Sequence, residues 1–73
     1  MKALSDFLVN EKGILASIND VRIANRLFSM GVLPNNEIEL LRTAPFGGDT
    51  LFINVDGIFY AIRKSEAKFM MMQ

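Results

Sequence analysis

The dipeptide Asp56-Gly57 fixes more of this chain than any other pair of residues. It sits between two β-rich runs, Leu51 to Val55 and Ile58 to Ile62. A two-residue type I′ hairpin loop needs positive φ at both central positions, which Asp tolerates and Gly adopts freely. Such a loop sets the register: Val55 faces Ile58, Ile53 faces Tyr60 and Leu51 faces Ile62. One face of the hairpin is then wholly apolar, while the other carries Asn54 opposite Phe59 and Phe52 opposite Ala61. Barrel curvature and a helix commonly cover such a second face, so Phe52 and Phe59 are expected in core packing.

Upstream, Ser5 is read as the cap of a short helical turn through Asp6, Phe7 and Leu8, and Asn10-Glu11-Lys12-Gly13 as the turn that follows. Ile14, Ala16 and Ile18 alternate with Leu15 and Ser17, the period-2 pattern of a strand with one buried face. Asn19 or Asp20 then caps a helix in which Ile23, Leu27 and Met30 recur at helical spacing, with Arg22, Asn25, Arg26 and Ser29 on the opposite side. Gly31 is placed to end that helix in the left-handed conformation, and Pro34 prevents its resumption.

Pro34-Asn35 suits the centre of a type II turn. In the next strand Ile38, Leu40 and Arg42 alternate with Glu37, Glu39 and Leu41, and Ala44 to Asp49 form a loop. After the hairpin, Ser65-Glu66-Ala67 reads as a capped turn and Phe69 to Met72 as a last short strand. The pattern predicts a mainly β fold, a small barrel of about five strands with one α-helix inserted after the first strand.

With 73 residues, no linker and no repeat, the expectation is a single domain over residues 1–73. Eight basic side chains balance eight acidic ones, so no net field draws the chain to nucleic acid or to an anionic membrane, and only a local patch could do so. Neither Cys nor His is present, which removes disulfides, thiolate zinc sites and the commonest general base. The expected class is therefore a binding protein rather than an enzyme, with no catalytic residue, no cofactor and a fold independent of metal. The opening Met1-Lys2-Ala3-Leu4-Ser5-Asp6 has no apolar run, so neither a signal peptide nor a spanning helix is expected, and the chain is read as cytoplasmic without direct membrane insertion.

Candidate contact residues are Arg22 and Arg26 on the polar helix face and Phe46 beside Gly47-Gly48 at a loop tip. Against these stand two plainer readings: a solvated helix face, and a Phe46 that folds back over an open barrel end. Met70, Met71 and Met72 are gap-filling core residues rather than a copper site, because consecutive strand residues point to opposite sides. Glu37 and Glu39 share a strand face that alternation marks as exposed, and no metal site is assigned to them. Gly47-Gly48 lacks the Lys-Ser/Thr and the helix that a phosphate-binding loop requires.

Four motifs recur in order: Arg26-Leu27 to Gly31 and Pro34, Ala44-Pro45-Phe46-Gly47-Gly48, Val55-Asp56-Gly57, and Ala61-Ile62-Arg63-Lys64-Ser65-Glu66-Ala67. In that order and spacing the chain resembles the FeoA family over nearly its whole length, with Leu4-Ser5-Asp6 and Gly13 matching the family's opening. Asn35 stands where the family usually has Gly after the proline, a substitution that positive φ tolerates. The resemblance implies an SH3-like barrel that works on the cytoplasmic face beside FeoB, a membrane ferrous-iron transporter with its own GTP-binding domain, and a family-level link to transition metals and iron homeostasis. It implies a non-enzymatic regulator acting by protein contact and recruited to the inner membrane face by the transporter. Self-association is compatible with it. The alternatives are a nucleic-acid-binding small barrel, disfavoured by charge balance, the lack of Trp and the single Tyr, or the regulatory domain of an iron-dependent repressor, disfavoured because no helix-turn-helix precedes the barrel. A proline-rich-peptide groove would need the Trp and Tyr that are scarce here.

Overall fold

The computed structural model describes residues 1–73. Strands β4 (Thr50–Val55) and β5 (Ile58–Arg63) form the hairpin in the expected register, from Val55 opposite Ile58 to Thr50 opposite Arg63. Asp56 and Gly57 have φ of 51° and 91°, and the Gly57 N–H donates to Asn54 Oδ1 at 2.8 Å. The other elements are β1 (Lys2–Ala3), β2 (Lys12–Ile18), α1 (Val21–Ser29), β3 (Glu37–Thr43), α2 (Lys64–Ala67) and β6 (Met70–Met72).

The fold is mainly β, with six antiparallel strands in the order β1-β6-β2-β3-β4-β5. The count exceeds the expected five because Lys2 and Ala3 also pair, opposite Met72 and Met71, so α1 follows the second strand in chain order. Met70 and Met72 from β6 share one core with Ile62 from the far edge strand β5, so the sheet wraps around its own interior. The 3-10 turn Leu4–Asp6, which follows β1, packs on α2, which follows β5, and joins the two ends of the sheet.

Helix α1 is capped at both ends as its sequence requires. Asp20 Oδ1 accepts the N–H groups of Arg22 and Ile23, each at 3.0 Å. Gly31, at φ 94°, donates to Phe28 O at 3.0 Å, and Val32 N–H reaches Leu27 O at 2.9 Å. These two bonds make a Schellman motif, with Val32 buried beneath it. The Pro34-Asn35 turn follows, with Asn35 at φ 73° and Asn36 N–H donating to Leu33 O.

Two bulges correct the simple alternation read from β2 and β3. In β2 the register skips Ala16, so Leu15 and Ile18 align with the inward Met72 and Met70 while Ser17 faces Met71. Leu15 is therefore the fully buried residue, and Ile14 and Ala16 are only half-buried. In β3 the register skips Leu41, which swings Arg42 off the Ile38–Leu40 face and places its guanidinium 4.4 Å from the Phe52 ring centroid. In β6 the alternation holds, with Met70 and Met72 buried and Met71 half-buried.

Three further expectations give way to packing. Ser5 caps nothing: the 3-10 turn begins after Ala3, with no side-chain cap. The following turn lies over residues 8–11, two residues earlier than anticipated, where Glu11 N–H donates to Leu8 O and Asn10 has φ 71°. Gly13 falls inside β2, where a Cβ would meet Phe7 Cζ at 2.7 Å, so its role is to admit the buried Phe7 ring. Phe59 is 73% exposed instead of packed in the core. Helix α1 sends Leu27 into the barrel interior and takes the Tyr60 hydroxyl on Met30 O at 2.7 Å, which leaves the outer hairpin face uncovered. Phe52, on that same face, is half-buried beneath Arg42.

Candidate protein-binding surface

Ile23, Ala24 and Leu27 turn one side of α1 toward the barrel, so Arg22, Asn25, Arg26 and Ser29 are exposed. Arg22 makes no ion pair. Arg26 pairs with Glu66 of α2, and its Nη1 lies 3.7 Å from Met30 Sδ. Glu66 also accepts the Arg63 N–H at 3.0 Å, so one carboxylate caps α2 and ties it to α1. Arg26, Arg63, Ser65 and Glu66 line a shallow open depression of ≈ 380 Å³. It offers charged hydrogen-bond donors and no pairing of a nucleophile with a base.

The Phe46 side chain is fully exposed, so it does not fold back over the barrel end. Its φ of 59° is left-handed, an uncommon conformation for a bulky residue that costs about 1–2 kcal/mol. The surrounding loop holds it there: Gly48 N–H donates to Pro45 O at 3.1 Å, Ala44 N–H to Thr50 O at 2.8 Å, and Lys64 N–H to Asp49 O at 2.8 Å. The last of these bonds fastens the loop to the first residue of α2, whose Glu66 holds Arg26. Through α2 the structure thus joins the Phe46 loop to Arg26, and Arg22 lies one turn earlier on the same helix face. The ion pair between Arg26 and Glu66 spans 40 positions and has no local sequence signal.

No group of three or more carboxylates, His or Cys gathers anywhere in the chain. Glu37 is exposed and Glu39 half-buried, and Lys12 stands across from Glu39 in the β2–β3 ladder. Glu11 is held by its neighbours in the charged form. The Lys2 ammonium at 2.6 Å, followed by the Leu8 N–H at 2.9 Å, holds its carboxyl below the usual glutamate range. No helix is long and apolar enough to cross a membrane.

The family model described as the FeoA domain matches residues 2–73. No curated protein matches the sequence. Among solved structures, an iron uptake regulatory protein described as FeoA is 33% identical, with 99% of this chain and 93% of that chain covered and a TM-score of 0.80. The zinc complex of FeoA from Stenotrophomonas maltophilia is 27% identical over 100% of this chain and 91% of that one, with a TM-score of 0.84. That protein is described as a prokaryotic SH3 domain protein and a candidate ferrous iron transport activating factor. A manganese-dependent transcriptional repressor shares the fold at a TM-score of 0.86 and 17% identity, with 97% of this chain matching 35% of its own.

Proposed function

The chain belongs to the FeoA family, a ferrous iron transport-associated domain with an SH3-like fold, and from that premise we propose that it is a non-enzymatic cytoplasmic accessory of a FeoB-type ferrous iron transporter, acting by protein contact. The carrying observation is Phe46, a fully exposed aromatic held at positive φ on a loop fastened to the same short helix that anchors Arg26. A bulky apolar side chain kept in a costly conformation with nothing of its own chain to pack on is arranged for an external contact. Arg22, unpaired on the adjacent helix, supplies steering toward an acidic surface.

Chemistry is assigned to the partner. This chain has no Cys or His, and its one surface depression is lined by two Arg, a Ser and a Glu already engaged in an ion pair. Its effect on transport is therefore exerted through binding. Recovery of the transporter with tagged protein from native membranes tests the reading. Retention of the transporter by the parent protein supports it, and failure to retain the transporter in gentle detergent counts against it.

A further inference from the structure

Strand β5 is an edge of the sheet, and its outer side is unusually unguarded. In a two-residue hairpin the residues flanking the loop exchange both hydrogen bonds, so Ile58, Tyr60 and Ile62 direct their backbone groups to β4. Phe59 and Ala61 therefore direct theirs away from the sheet. The next outward N–H, that of Arg63, is taken by Glu66. The opposite edge strand, β1, has 2 residues, whereas β5 has 6. From Ile58 to Ile62 there is no Lys, no Pro and no bulge, the devices by which natural edges repel a second strand. Instead Ile58 is 57% and Phe59 73% exposed.

The charges that flank this edge select the strand that fits it. Asp56 precedes β5, Arg63 ends it and Lys64 opens α2 directly after it, and none of the three is in an ion pair. An antiparallel copy of the same strand presents these ends reversed. With a twofold axis through Tyr60, Phe59 of one copy lies opposite Ala61 of the other, a large side chain over a small one, and this pair occurs twice, so each outward N–H and C=O of both residues gains a partner. The same register carries Asp56 of each copy to the Arg63-Lys64 end of its mate. Apolar fit, backbone pairing and charge complementarity therefore agree on one occupant.

We propose that β5 is a self-association edge, through which two copies of this chain pair antiparallel into a continuous sheet. The pairing is isologous and closes on itself, so it yields a dimer and no filament. It goes beyond the transporter reading and is tested on the purified protein alone, so either can fail without the other. The contact is smaller than a standard interface, and a dissociation constant on the order of 100 μM is expected.

Sedimentation velocity across a concentration series tests it, with far-UV circular dichroism confirming that each variant is folded. Asp56→Lys and Lys64→Asp each create like-charge pairs at both ends of the contact and are expected to weaken association at least about tenfold. An equimolar mixture of the two restores both opposite-charge pairs and is expected to associate like the parent. Ala61→Pro removes one outward N–H and no bond within the sheet, and is expected to sediment as a monomer. A parent protein that stays monomeric to about 1 mM overturns the proposal. So does a mixture that associates no better than its components, or a dimer indifferent to Ala61→Pro. A monomer that captures an unrelated extended peptide on the same edge would assign β5 to a different partner and overturn it as well.

Discussion

Replacing Gly31 by Val strikes the joint between α1 and the rest of the barrel. Gly31 has φ 94°, and its turn sets the path by which Val32, itself fully buried, returns its N–H to Leu27 O. An L-residue forced into the left-handed region costs about 1–2 kcal/mol, and a β-branched one up to about 3 kcal/mol. Space is not the obstacle, because a Cβ would lie 3.5 Å from Tyr60 Oη, an ordinary contact. Gly31→Ala therefore reports mainly the backbone cost, about 1 kcal/mol, while Gly31→Asn costs less because Asn tolerates that region. With a urea m-value of about 1 kcal/mol/M for a domain this small, the Val variant should unfold roughly 1–3 M earlier than the parent, with Ala and Asn between them in that order. Equilibrium urea unfolding followed by circular dichroism measures it. A Val variant within about 0.3 kcal/mol of the parent would refute the left-handed stop as the device that ends α1.

Two other perturbations separate effects that the structure ties together. Glu66→Ala removes both the cap on the Arg63 N–H and the ion pair to Arg26, and should cost about 1–2 kcal/mol, whereas Arg26→Ala removes the pair alone and should cost less than about 1 kcal/mol; thermal melts of the two variants check the order. Glu11 has its folded-state carboxyl held below the usual value by Lys2 first and Leu8 N–H second, so its contribution is fully present above the unfolded-state value and is lost as pH falls through the lower folded value. Glu11→Gln should therefore lose less melting temperature than the parent between pH 7 and pH 3, and identical losses would contradict the assignment.

Local chemistry was the legible part of this fold. Asp56-Gly57 dictates its turn and register through its own φ preferences, and Asp20 and Gly31 mark the ends of α1 because each satisfies helix-terminal groups within a few residues. The bulges at Ala16 and Leu41 were hidden, since skipping one residue depends on which strand lies opposite and leaves the composition of the run unchanged. The same dependence hid the exposure of Phe59. Its neighbour on the same hairpin face, Phe52, is sheltered by Arg42 only because the Leu41 bulge turns that side chain outward. Of the surface, Arg22, Arg26 and Phe46 were visible as residue types in exposed contexts. The link from the Phe46 loop through Lys64 and Glu66 to Arg26 is tertiary, and no spacing in the chain announces it.

The most direct test of the transporter reading is surface plasmon resonance against the detergent-solubilised FeoB-type transporter, with variants first shown to be folded. Phe46→Ala should leave association nearly unchanged and speed dissociation, by the roughly 5- to 150-fold that a loss of about 1–3 kcal/mol produces if the ring is buried at the contact. Arg22→Glu, alone and then with Arg26→Glu, should instead slow association and weaken its salt dependence. Because Arg22 makes no ion pair in its own chain, its reversal changes steering without touching the contact that Arg26 makes with Glu66. Binding by the parent with these two distinct kinetic signatures is the predicted result. Unchanged rates for folded Phe46→Ala and for the Arg22 and Arg26 variants would contradict the assignment of this surface to the transporter.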